Sequence, residues 1–245
     1  MKPPLTPSPP LLQVIAMHGW SGVSQHWEPW RQAITALGWS WQSGERGYGG
    51  ATPHQPDWQG HGRKVVIAHS LGPHLLPAGL LAQAEAVVLL ASFGRFVPEG
   101  AAGRRLRQAL ALMDGQLGEA HDAQAMLRRF RQEAAAPDPV ELLPPGPADL
   151  LLSDTCRERL RRDLALLGRS EGLPAGFPAA VPVLVVEAGQ DRIVVPEARQ
   201  LLRRDLEGIT DALQWHTLEE AGHCLLRGPV LEPVLGWLQE QLLAP

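Results

Sequence analysis

The run Val65-Val66-Ile67 leads straight into Ala68-His69-Ser70-Leu71-Gly72, and an apolar segment carrying Leu75, Leu76, Leu80 and Leu81 follows. A β-branched run, a serine with small residues two before and two after it, and a leucine-rich stretch read as strand, sharp turn and helix. This feature constrains the fold more than any other. The turn lifts the serine hydroxyl clear of the edge of a sheet, and only a well-anchored strand can hold it there. By itself the pentapeptide is a weak signal, because a serine in any strand-to-helix turn produces it.

Two further strand ends supply partners. Pro182-Val183-Leu184-Val185-Val186 is a second buried-strand pattern, with Gly189-Gln190-Asp191 just past its end. Leu213 to Leu218 alternates like a strand and leads to Ala221-Gly222-His223. Read singly, Asp191 is a loop cap and His223 a helix-start histidine. Read together, Ser70, Asp191 and His223 follow the order nucleophile, acid, base, each at a strand end, so one parallel sheet gathers them at its carboxyl edge. A fourth strand, near 11–17, ends in His18-Gly19-Trp20-Ser21-Gly22. A tetrahedral intermediate needs two preorganised N–H donors. The backbone N–H groups of Trp20 and Leu71 are the candidates, with Gly19 giving the chain freedom to turn close to the substrate. The plain alternative for Trp20 is a buried aromatic at the sheet rim.

The remaining pattern places strands near 39–43 and 86–92, and helices near 27–37, 71–83, 196–206 and 226–242. Strands alternating with helices imply a parallel sheet with helices on its faces. Between the strands at 86–92 and 182–188 the chain is far longer than a crossover needs. Its segments near 101–113, 121–135 and 154–168 read as a helical lid jointed at 136–148 and 172–182. The domain reading is therefore a core of 1–92 and 182–245 with a lid at 93–181. At 245 residues this is one large α/β unit. A net charge of −4 argues against nucleic acid as a partner. No apolar run approaches the roughly 20 residues of a membrane span. Residues 1–10, with five prolines, read as a disordered lead-in rather than a signal segment. Cys156 and Cys224 make no disulfide framework and fit a reducing, cytoplasmic setting. No metal-ligand spacing occurs, and the chemistry needs no cofactor.

These motifs resemble those of the α/β-hydrolases. The His18-Gly19-Trp20 loop, the Ser70 turn, the lid insert, Asp191 and Ala221-Gly222-His223 are most similar to the pimeloyl-[acyl-carrier protein] methyl ester esterases of biotin synthesis. Val88 to Ser92, Leu127 to Arg131, Asp163-Leu164 and Gly189-Gln190-Asp191 fall where that family has comparable stretches. The resemblance implies a serine carboxylesterase acting on a carrier-bound methyl ester. A general short-chain esterase or lipase, a carbon–carbon bond hydrolase on the same residues, and a non-catalytic binding protein are the alternatives. The chain departs from the family in three ways. The first hairpin of the usual sheet is missing, the stretch between Gly47 and Lys64 is Gly/Pro/His-rich in place of a helix, and His69 stands where tryptophan is usual.

Side chains expected at the substrate are His18, Gly19, Trp20, His69, Phe93 and Phe130. The lid adds arginine clusters around Arg128, Arg131, Arg157 and Arg161, which on helical spacing fall outside its apolar stripes. Such a rim would steer an acidic acyl-carrier protein. The competing reading is a solvated helix face, since acidic residues equal arginines in number across 93–181.

Overall fold

Six short segments, the four central ones rich in aliphatic and β-branched residues, form one sheet in the computed structural model, which describes residues 12–226 and 228–243. The strands are β1 (Leu12–Met17), β2 (Ser40–Ser43), β3 (Arg63–His69), β4 (Ala86–Leu90), β5 (Val183–Ala188) and β6 (Leu213–Leu218). They lie in the order β2-β1-β3-β4-β5-β6. Every pairing is parallel. Parallel sheets need cover on both faces, which is why β1, β3 and β4 read as nearly unbroken apolar runs. No antiparallel hairpin accompanies the sheet among the described residues. The lead-in expected at residues 1–10 lies outside the described residues.

The helices are α1 (Glu28–Ala36), α2 (Gly72–Leu75), α3 (Ala78–Leu81), α4 (Gly100–Gln116), α5 (Ala120–Ala135), α6 (Asp154–Arg169), α7 (Pro196–Glu207) and α8 (Leu231–Leu243). Alternate strand residues divide the core in two. Val14, Ala16, Val65, Ile67, Val88 and Val186 pack with Trp30 and Ile34 of α1 and Val234, Trp237 and Leu238 of α8. Ile15, Met17, Val66, Ala68, Val87 and Val185 pack with Leu75, Leu81, Leu160, Leu164, Leu202 and Leu206 on the opposite face. The period of two within each strand makes this division automatic.

The helix expected over 71–83 is instead two short turns, α2 and α3. Pro77 breaks it: a residue before proline is pushed out of the helical region, and Leu76 is extended at φ −81°, ψ 145°. The helix expected from 226 starts only at Leu231, after Gly228 at φ 81° and Pro229. The strand expected to run to 92 stops at Leu90, because Ala91 turns into the left-handed region at φ 44°. Residues 47–62 contain no helix, in keeping with their glycines, prolines and histidines. Among the described residues no helix is long and apolar enough to cross a membrane.

Topology puts the chemistry at one place. From β1 the chain moves outward to β2 and returns on the other side of β1 as β3, so Met17 pairs with Ala68 and both strands exit side by side. The crevice between such diverging connections is where parallel sheets bind ligands. Core anchoring of this frame is testable at Trp30, which is fully buried and donates its indole N–H to the Leu226 carbonyl at 3.0 Å. Trp30→Ala is expected to lower unfolding stability by about 3–5 kcal/mol, measured by urea denaturation.

Candidate active site

Ser70 follows β3 directly and has a positive φ of 55°. A non-glycine residue there costs of order 1–3 kcal/mol and persists only where its surroundings impose it. Those surroundings are visible. The Ser70 N–H donates to the Leu90 carbonyl at 2.9 Å, and the Ser92 hydroxyl donates to the Ser70 carbonyl at 2.7 Å. A Cβ on Gly72 would stand 2.4 Å from the Met17 carbonyl oxygen, and one on Gly19 would stand 2.7 Å from the Ser70 Cβ. The tight turn therefore requires glycine at both positions.

His223 lies in the loop after β6. Its Nε2 is 3.0 Å from the Ser70 Oγ, and its Nδ1 is 2.9 Å from Asp191 Oδ2. The consistent proton arrangement has Nδ1–H donating to Asp191 while Nε2 accepts from the serine hydroxyl. Asp191 Oδ1 accepts the N–H groups of Ile193 at 2.7 Å and Val194 at 3.0 Å. Burial pushes the Asp191 carboxyl up, but the His223 charge and these hydrogen bonds outweigh it and hold the pKa below its ordinary value. The His223 loop also rests on the end of α5: Cys224 N–H donates to the Ala134 carbonyl at 3.2 Å. Gly222 comes so close that a Cβ there would meet the Ala136 carbonyl.

His69 is the neighbour of both Ser70 and His223. Its Nε2–H donates to the His223 carbonyl at 2.9 Å, and the two rings lie 5.0 Å apart. Burial, together with the His223 charge, pulls its pKa down to about 3, so it stays neutral.

A cavity of about 80 Å³ opens onto these groups. Of the side chains expected at the substrate, His18, Gly19, Trp20, His69 and Phe130 line it. Trp20 is fixed by its indole N–H, which donates to the Leu160 carbonyl at 2.9 Å, and by an edge contact with Phe130 at 4.9 Å. Phe93 is not among the lining residues. Its ring is buried against His74 and Phe96, because the chain leaving β4 turns into the core. The backbone N–H groups of Trp20 and Leu71 have no hydrogen-bond acceptor among the described residues.

The arginine rim is different from the expectation. Arg131 lines the cavity and is bonded to Asp149 and to the carbonyls of Leu143 and Pro144. Arg157 donates to the carbonyls of Leu117, Leu152 and Gly118 and to Asp154. Arg161 is bidentate to Asp114 at 3.0 Å. Arg128 alone of the four is fully on the surface without such bonds among the described residues. Long cationic side chains beside carbonyls and carboxylates of one chain are consumed internally, and a count of charges could not reveal it.

Several residues have structural roles that spacing along the chain does not show. Asp163 of α6 is buried and receives Arg46 at 2.7 and 2.9 Å and the Tyr48 hydroxyl. Glu45 accepts the N–H groups of Ser24 and Gly47 beside His18, and although burial works against ionisation these contacts and His18 hold it at about 2. Both clusters are assembled from distant segments, so no local pattern marks them. Cys156 and Cys224 are free thiols; burial raises the Cys224 thiol to about 12. Among the described residues no cluster of His, Cys, Asp and Glu could hold a metal ion.

No protein-family model matches the sequence, and no curated protein matches it. Solved structures do resemble it. An esterase (EaEST) from Exiguobacterium antarcticum superimposes with a TM-score of 0.66 at 12% identity, over 95% of this chain and 93% of that one. A bromoperoxidase from Bacillus anthracis gives 0.63 at 16% identity, over 95% and 93%. The type II thioesterase BorB of the borrelidin biosynthetic cluster gives 0.55 at 18% identity, over 96% and 95%. With its parallel six-stranded sheet flanked by helices, the chain has the α/β-hydrolase fold.

The His69 environment has a pH consequence with a definite sign. A histidine with folded pKa near 3 and ordinary value 6.5 binds its proton more readily when unfolded. Stability it contributes is complete above 6.5 and declines as pH falls toward 3. His69→Gln is expected to flatten the loss of stability between about pH 6.5 and 4.5. Above the range where Asp191 and Glu45 titrate, parallel denaturation curves of the two proteins at several pH values measure that difference.

Proposed function

We propose that this protein is a serine hydrolase that cleaves a small acyl ester by two-step acyl transfer. The observation that carries the reading is the hydrogen-bonded chain from Ser70 through His223 to Asp191, opening on a cavity. In the proposed reaction the Ser70 Oγ attacks the ester carbonyl while His223 Nε2 takes its proton. Asp191 holds the imidazole tautomer and stabilises the imidazolium. The unpartnered N–H groups of Trp20 and Leu71 receive the oxyanion, and each such donor contributes about 3 kcal/mol in comparable sites. As the tetrahedral intermediate collapses, the alkoxide takes the proton from His223 and leaves. Water then attacks the acyl-serine by the same route, releasing the acid and restoring Ser70. No cofactor enters the scheme, and segment 93–181 serves as the lid over the site.

The esterase among the structural neighbours is consistent with this reading at the level of fold. The sequence resemblance extends it to a pimeloyl-carrier methyl ester. The cavity volume and the internal bonding of Arg131, Arg157 and Arg161 support a free small ester instead.

The test is direct. A fluorophosphonate probe should label the parent protein, and Ser70→Ala should abolish labelling. The same variant should lose p-nitrophenyl acetate turnover by about 10³-fold or more, with an unchanged thermal melt. His223→Ala should fall comparably and Asp191→Asn less, because the three act as one unit. Turnover by Ser70→Ala within tenfold of the parent would exclude Ser70 as the nucleophile.

A further inference from the structure

We propose that residues 143–149 form a strap that limits the acyl chain this site accepts, and that Arg131 is the residue that keeps it closed. The inference rests on the esterase reading and deepens it. Leu143, Pro144, Gly146, Pro147 and Ala148 share the cavity with Ser70, His69 and His223. Pro144-Pro145-Gly146-Pro147 carries three prolines with fixed φ, so the strap is stiff. Its attachments are specific. Arg131 Nη2 donates to the carbonyls of Leu143 at 2.8 Å and Pro144 at 3.1 Å. Arg131 Nη1 donates to the Asp149 carboxylate at 2.8 and 3.0 Å. Asp149 in turn accepts the Gly146 N–H at 2.8 Å, and His26 donates to the Pro145 carbonyl at 3.1 Å.

One planar guanidinium thus ties both ends of the strap to α5. The cavity is open at its mouth, and its volume of about 80 Å³ compares with roughly 10–15 Å³ for one water-sized group, so beneath the strap it is small. A longer chain has to displace the strap, and the strap can move only if the Arg131 bonds break. A second consequence follows from position. α5 also carries the Ala134 carbonyl that receives the His223 loop, so the strap and the proposed base share one support.

The experiment is an acyl-length series of p-nitrophenyl acetate, butyrate and octanoate with the full chain. The readout is the ratio of kcat/KM for octanoate to that for acetate, in which a general loss of activity cancels. The parent should strongly favour the short esters. Arg131→Met and Asp149→Ala should each raise the octanoate-to-acetate ratio by about tenfold or more, the scale on which a few methylenes are discriminated. Should either variant fail to fold by circular dichroism, the double change Pro144→Gly with Pro145→Gly loosens the strap and leaves the ion pair intact. It should shift the ratio the same way. Ser70-dependent turnover with an unchanged ratio in the folded variants overturns the strap. A parent that hydrolyses octanoate as well as acetate also overturns it. Turnover that survives Ser70→Ala instead overturns the esterase reading itself.

Discussion

A serine held at φ 55° sits in a conformation its own Cβ disfavours, and the surrounding structure exists in large part to keep it there. The Leu90 carbonyl at the end of β4 and the Ser92 hydroxyl just beyond it grip its backbone. Gly19 and Gly72 give it the space that any side chain would deny. The pairing of Met17 with Ala68 decides how closely the two loops approach. Rigid scaffolding around a strained residue is what fixes the position of its hydroxyl.

The helical segment between β4 and β5 is attached to that scaffold by polar contacts as well as by the apolar packing of Met126, Leu127, Leu160 and Leu164. Asp163 of α6 is buried with Arg46 and Tyr48 as partners, the Leu160 carbonyl takes the Trp20 indole, and Arg159 reaches the Gly47 carbonyl. Breaking a buried ion pair leaves an uncompensated charge, which makes such a contact strict about geometry even where its net stabilisation is small. The loop bearing His18 to Trp20 is therefore fixed from two sides, by the sheet below and by α6. α5 has the corresponding role for His223, whose loop meets its carboxyl end.

What could be read from the residues was whatever depends on short-range pattern. Val65 to Ile67, Val183 to Val186 and the alternation of Leu213 to Leu218 mark strands because buried parallel strands must be apolar. The leucine stripes of α6 and α7 mark helices through their spacing. Ser70, Asp191 and His223 were visible because each follows such a strand, and a parallel sheet leaves little choice about where its strand ends meet. The inward turn of Phe93, the internal bonding of Arg131, Arg157 and Arg161, and the break in the helix after Ser70 are not legible in the sequence, for one reason. Each depends on direction or on partners. Pro77 acts on Leu76, Phe93 turns inward with the chain after Ala91, and Arg131 finds Asp149 eighteen residues away.

The sequence by itself determined the order of the strands, the sharp turn at Ser70 and the three residues of the hydrogen-bonded chain. Hydrophobic periodicity and local steric limits carry that information from one residue to its near neighbours. Only the tertiary structure decided which side chains line the cavity, which arginines are bonded to carbonyls and carboxylates, and how small the cavity is. Those outcomes depend on segments such as 45–48, 131 and 143–149 that meet after folding. Hydrogen bonds and ion pairs between them act over a few ångströms in space, with no counterpart in spacing along the chain.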